Sequence, residues 1–236
     1  MQQWMNLMEV NCDPAREDEF RAWFRDVHMD DVLTTPGFVG ARQHETKEFR
    51  DGRGKYLHLY NIVSDDIDRT MKVRRESRDE ERKRGRYRAN LTMHVWRDVL
   101  WRQIAERVVP GYRASTLPRW LNLVEVNVAP SRESEFSDWY LNTHIGDVLS
   151  TPGFVGARHY ETKEFRDGRG KYLNVYYIET DDIERTMRLR LERREDEKKR
   201  GRYRDKLTIP LWRDVLWKRI AEHAVPDGAR SGALPW

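Results

Sequence analysis

Shifted by 116 residues, the chain lies on itself without a gap: Trp4 meets Trp120, Pro110 meets Pro226, and 68 of the 107 aligned positions are identical. A period this long exceeds the ~20–50 residues of a solenoid repeat, so what is duplicated is a domain. It divides the chain into a first repeat (1–110), a linker GYRASTLPR (111–119), a second repeat (120–226) and a tail (227–236). The linker's Gly, Pro and Ser suit a connection rather than an element. The longest unbroken identity is ETKEFRDGRGKYL, at 45–57 and again at 161–173.

Each repeat reads as an alternation of strands and helices. WMNLMEVN alternates with period two, as a strand does. PAREDEFRAWFRDVHMDDVL begins with Pro and acids, which suit a helix N-terminus, and sets Phe20, Trp23, Phe24 and Val27 on one stripe. TPG stops it. FVGARQHETKEF and KYLHLYNIV then form a hairpin around the Gly-rich RDGRG. That loop joins two strands and precedes no helix, so it is not a phosphate cradle. A charged helix follows, then the strand LTMHVWRDV and a short terminal helix, LWRQIAERV. The order β-α-β-β-α-β is a split βαβ, ferredoxin-like unit. Its two helices cover one face of its sheet, and a second copy in the same chain supplies a partner for the other. The expected fold is therefore α+β: two such units forming an intramolecular pseudo-dimeric barrel.

Composition narrows the function classes. Charged residues make up 36%, but nine Trp and ten Tyr argue against disorder. A net charge of +4 suggests nucleic acid until its distribution is considered. In KVRRESRDEERKRGRYR (72–88) the signs alternate, so a solvated helix face laced with i,i+3 and i,i+4 pairs is expected in place of a basic patch. One cysteine, Cys12, allows no intrachain disulfide and suits a reducing compartment. No apolar run approaches a membrane span and no signal peptide is evident, so a cytoplasmic protein is expected.

WYLNTHIGDVLSTPGFVGARHY (139–160) resembles the helix-to-strand passage of dimeric α+β barrel proteins of the EthD-like group, with its aromatic, His, small-residue and PGF…AR spacing. Gly146 and Asp30 stand where that group often has Pro. The resemblance implies a pocket between each sheet and its helices, with the sheet faces packed together. It also implies a superfamily that includes muconolactone-type isomerases, polyketide cyclases, cofactor-free monooxygenases and some haem enzymes, among which fold alone does not choose.

Strand alternation separates two faces. Met5, Leu7, Leu57, Leu59, Leu91, Met93 and Val95 form an apolar set assigned to the barrel interior. The opposite set holds Asn6, His58, Tyr60, His94 and Trp96, with Arg42 and His44 placed beside them. The second repeat matches these with Asn122, Asn174, Tyr176, Pro210, Trp212, Arg158 and Tyr160. On the first helix, Asp31 falls in the apolar stripe with His28 at its edge. A carboxylate there would orient the imidazole and raise its pKa; the pair recurs as His144 and Asp147. Its other reading is a hydrogen-bonded corner at TPG.

These residues define the candidate site. His28, Asp31, His58, Tyr60 and His44 are the catalytic candidates. Arg42, Asn6, His94, Trp96, His144, Asp147, Arg158 and Tyr176 are the substrate-binding candidates. The first repeat is richer in such histidines and is expected to carry more of the chemistry. The favoured function is a cofactor-independent isomerase or lyase acting by His acid–base chemistry on an anionic, aromatic-derived or unsaturated acid. Two alternatives stand beside it: a metal- or haem-dependent oxygenase using the first repeat's histidines as ligands, and a non-catalytic ligand-binding or assembly module. No nucleic-acid or membrane partner is expected, and a homodimer of the fused barrel is a further expectation.

Overall fold

A computed structural model describes residues 1–46, 53–163 and 170–225, with backbone alone at Asp205 and at 210–214. The first repeat runs β1 (Gln2–Cys12), α1 (Glu17–Trp23), α2 (Met29–Leu33), β2 (Phe38–Glu45), β3 (Tyr56–Ser64), α3 (Ile67–Lys83) and β4 (Thr92–Val108). The second repeats this order as β5 (Arg119–Asn127), α4 (Glu133–Trp139), α5 (Ile145–Leu149), β6 (Phe154–Thr162), β7 (Tyr172–Glu179), α6 (Ile183–Lys199) and β8 (Ile209–Ala224). Hydrogen-bonded neighbours follow β1-β3-β2-β8-β5-β7-β6-β4 and close as an eight-stranded barrel.

Two compact units result, one of residues 1–102 with the chain from Arg219 onward, the other Gln103–Lys218. The terminal helices expected at LWRQIAERV and its copy do not form: β4 and β8 are unbroken strands of 17 and 16 residues. The segment satisfies both periodicities, and pairing decides between them. Met5 is registered with Trp101 and Leu7 with Val99, which buries both partners on β4. The linker is also tied down. The buried Glu179 carboxylate accepts hydrogen bonds from Tyr112 Oη (2.7 Å), Ser115 N and Oγ (3.1 and 2.6 Å) and Arg119 Nε (2.9 Å).

Each sheet packs its helices on one face. In the first unit Phe20, Trp23, Phe24, Met29 and Val32 meet Val10, Phe38, Tyr56, Tyr60 and Ile62; the second repeats this with Phe136, Trp139, Tyr140, Ile145 and Val148. The helix after β1 is not uniform. Phe24–His28, and likewise Tyr140–His144, form a π-helical turn between two α-helical pieces. Such single-turn insertions are frequent at functional sites, and here each ends on the histidine. The charged helices behave as expected outside, with Lys83–Glu80 and Arg82–Asp79 pairs, but each also carries a buried i,i+7 pair. Arg74 binds Glu81 at 2.5 and 2.9 Å, and Arg190 binds Glu197 at the same distances.

The duplicated stretch is a hairpin arm, as Glu45↔Tyr56 and Glu161↔Tyr172 pairing shows, although its turn lies outside the described residues. Its second half explains the identity. Gly54 N donates to the buried Glu9 carboxylate (2.8 Å), Lys55 N to Asn11 Oδ1 (2.6 Å), and Lys55 Nζ to Glu17 (2.5 Å). Gly170 and Lys171 do the same with Glu125, Asn127 and Glu133. A Cβ on Gly54 would sit 2.6 Å from Glu9 Cγ and 2.7 and 2.8 Å from the backbone N and O of Val10. Backbone cannot yield as a side-chain tip can. Gly54→Ala is therefore expected to cost about 2–3 kcal/mol and to lower Tm by roughly 5–10 °C. Gly40→Ala, whose nearest contact would be 3.7 Å, is the calorimetric control and should stay within about 1 kcal/mol.

Candidate functional site

Register assigns the faces, and it moves three candidates, Arg42, His44 and Arg158. Gln43 is paired with His58 and Ala41 with Tyr60, whereas Arg42 is paired with Leu59 and His44 with Leu57. Arg42 and His44 thus lie with the leucines, on the face away from the helices. The reading had carried one residue too far across the hairpin, and a one-residue slip exchanges faces. Arg42 is held by Glu222 (2.7 Å), and its counterpart Arg158 by Glu106 (2.9 Å). Tyr160 moves with Arg158, since it is registered with Leu173.

Of the other first-repeat candidates, the structure brings His28 onto Tyr60 and, across the Phe24 ring, beside His58, while Asp31, His94 and Trp96 lie apart from them. Asp31 does not touch His28. It takes a bidentate bond from Arg86 (3.0 and 2.6 Å), as Asp147 does from Arg202. His28 meets Tyr60 Oη through Nε2 at 3.2 Å and stacks on Trp23 at 4.8 Å. With no carboxylate beside it, burial and the nearby Arg74 and Arg78 push its pKa down to about 3, the reverse of the expected rise. His58 is buried against Phe24, ring centroids 3.7 Å apart, and burial lowers its pKa well below the usual value. His94 and Trp96 are exposed, their rings 4.1 Å apart and tilted by 45°; Met93 and Val95 are exposed too, so the start of β4 contributes nothing to an interior. Asn6 donates to Asp98 Oδ1 (2.8 Å) and faces Val99 O (3.4 Å). The side chains of Pro210 and Trp212 lie outside the described residues. Among the described residues no group of three or more His, Cys, Asp or Glu side chains is placed to hold a metal. Cys12 is buried, its thiol pushed up to about 11 mainly by that burial.

The second repeat differs. Between its sheet and helices lies a cavity of about 90 Å³, lined by Asn122, Tyr140, His144, Asn174, Tyr176 and Arg194 among others. Three exchanges between the copies fall on its lining. Val124 stands for Met8 and Asn174 for His58, which removes volume; Tyr140 stands for Phe24, which adds a hydroxyl. The Tyr140 hydroxyl donates to Tyr176 Oη at 3.2 Å. Asn174 Oδ1 meets His159 Nδ1 at 2.6 Å, where the first repeat has Gln43 against His58. His159 was missed in the sequence. The signal was the reciprocal exchange itself, an amide and an imidazole trading places on two paired strands.

His144 stacks on Trp139 at 4.6 Å and meets the edge of Tyr203 at 5.6 Å. It is part-exposed, whereas His28 is buried at 8% exposure. Burial first, then the Arg190 and Arg194 guanidiniums, push its pKa down to about 3. Asn122 is buried with its Nδ2 unpartnered, and Arg194 Nε is likewise buried without a partner. The site therefore offers a neutral imidazole, two phenols, an unspent amide donor and a cation. It does not fit haem. A cavity of about 90 Å³ is smaller than the ~150 Å³ that holds benzene, and the one imidazole on its wall is stacked on an indole.

No family model and no curated protein sequence matches the chain. Solved structures do. A Fusobacterium nucleatum candidate monooxygenase aligns over 94% of both chains with a TM-score of 0.62 and 9% identity. An anthrone oxidase-like protein aligns over 99% of this chain and 97% of its own, TM-score 0.62 and 12% identity. A chlorite dismutase from Candidatus Nitrospira defluvii covers 92% and 90%, TM-score 0.57 and 10% identity. At these identities the likeness defines the fold alone, a closed eight-stranded α+β barrel.

Proposed function

We propose that the chain is a small-molecule enzyme whose working site is the cavity of the second repeat, a proton-transfer site of isomerase or lyase type. The observation that carries this is the neutral, part-exposed His144 set beside the Tyr140–Tyr176 hydroxyl pair on one cavity wall. An imidazole held neutral is ready to accept a proton over the whole physiological range. At rest it is a weak base, because burial first, and then Arg190 and Arg194, oppose its charging. An anionic substrate offsets that field and raises the basicity of His144 when the substrate arrives. The imidazolium then returns the proton to a different carbon, or to a departing group, and the phenols supply the complementary hydrogen bonds. General acid–base transfer of this kind contributes typically ~10²–10⁴-fold.

The names of the structural neighbours favour a second reading. In it the carbanion formed by the same abstraction adds to O₂, and the resulting hydroperoxide loses water to leave a carbonyl, as a monooxygenase or an anthrone oxidase-like protein would need. Both readings share the first step, and isotope exchange measures it. The protein is expected to speed deuterium uptake at C3 of pyruvate in D₂O followed by proton NMR. Buffer-level exchange for pyruvate and 2-oxobutanoate alike would overturn proton abstraction at this site.

A further inference from the structure

We propose that Arg194 and Asn122 form the anchor of a small 2-oxo carboxylic acid, Arg194 taking the carboxylate and the Asn122 amide taking the adjacent carbonyl oxygen. This rests on the acid–base reading of the same cavity and names its substrate class.

Charge and satisfaction around the cavity lead there. Among the described residues the wall carries two guanidiniums and no carboxylate. Arg190 is committed to Glu197 by two short bonds, so the pair is neutral as a unit. Arg194 has no ion-pair partner among the described residues, and its buried Nε makes no hydrogen bond. A buried donor left unpaired costs about 1–3 kcal/mol, more when charged, which a ligand oxygen would relieve. Arg presents its donors in a planar fork that matches a carboxylate.

Asn122 supplies the independent observation. Only 4% of it is exposed, it lines the cavity, and its buried Nδ2 has no acceptor among the described residues. Its counterpart Asn6 spends the same donor on Asp98, whose own counterpart Asp214 is described by backbone alone. The two donors also differ in depth. Asn122 is buried, whereas Arg194 is part-exposed and its neighbour Leu191 is 45% exposed, so the cation lies toward the mouth. A ligand spanning them carries its negative charge outward and a neutral acceptor inward. A cavity of about 90 Å³ limits the inner part to a few atoms. A carboxylate next to a ketone satisfies all of this, and deprotonation beside that ketone places an enolate oxygen on the Asn122 amide.

Titration calorimetry of the full chain with pyruvate and with acetate tests the anchor. Arg194→Gln is expected to weaken pyruvate binding 10- to 100-fold, while Arg78→Gln, the matched change in the first repeat, leaves it unaltered. Asn122→Leu is expected to weaken pyruvate more than acetate, which has no ketone. If that variant fails to fold by circular dichroism, Asn122→Ala takes its place. Pyruvate binding within twofold of wild type in Arg194→Gln would overturn the proposal, as would inorganic phosphate binding more tightly than either acid. Pyruvate binding that depends on Arg194 without deuterium exchange leaves the anchor standing and removes the acid–base reading. Exchange that persists unchanged in Arg194→Gln does the opposite.

Discussion

Lowering the pH from 7 to 5 is expected to remove most of the stability of this chain. His28, His44 and His144 have pKa values pushed down to about 3 and His159 to about 4, and His58 also lies well below its usual range. Burial is the leading cause for all five. In the unfolded chain each would titrate near ~6.5. Between the two values the unfolded state holds protons that the folded state refuses, so stability is complete above about pH 6.5 and falls as the pH drops toward 3–4. Each such proton contributes about 1.4 kcal/mol per pH unit, somewhat less at the part-exposed His144. Several acting together exceed a typical total stability of ~5–15 kcal/mol within one to two units, which sets acid unfolding near pH 5. Urea melts followed by circular dichroism from pH 8 to 4.5 give the slope directly. His58→Asn and His159→Gln, which borrow what the other repeat holds at those positions, should each make it shallower by about one proton. A stability that is flat from pH 7 to 5 would show that these imidazoles are not sealed from water.

That behaviour follows from features only partly legible in the sequence. The duplication, the element order and the hairpin could be read because identity and alternation are local signals. Three things could not. The continuation of β4 past Leu100 depends on pairing with β1, and LWRQIAERV alone fits helix and strand equally. The faces of Arg42 and His44 depend on register across a turn, where one residue exchanges inside for outside. Asp31 looked like the partner of His28 because they are three apart on one helix, but Arg86, 55 residues away, claims the carboxylate with its planar fork. Charge inventory along one element does not reveal a stronger partner on another. The histidine count favoured the first repeat, whereas the proposed site lies in the second, where Asn174 stands in place of the bulkier His58. Comparing residue volumes between the copies, as well as chemical types, would have pointed to the second.

The sharpest consequence is that two histidines at equivalent positions should fail in opposite ways. His28 is sealed between Trp23, Phe24 and Tyr87 and is the hydrogen-bond partner of Tyr60. His28→Ala leaves a cavity and an unpaired phenol, at a cost of about 2–4 kcal/mol. Its deuterium exchange rate per folded molecule should remain within about threefold of wild type, because the first repeat does no chemistry in this reading. His144 borders a cavity already open, so His144→Ala removes fewer contacts and should cost less stability. Its exchange rate should drop by ~10²–10⁴, the usual worth of a general base. Free imidazole should restore part of that rate in His144→Ala, since the enlarged cavity has room for it, and should do nothing for His28→Ala. Loss of exchange in His28→Ala with His144→Ala unaffected would return the chemistry to the first repeat. Equal rates in both variants and the parent would remove imidazole from the mechanism altogether.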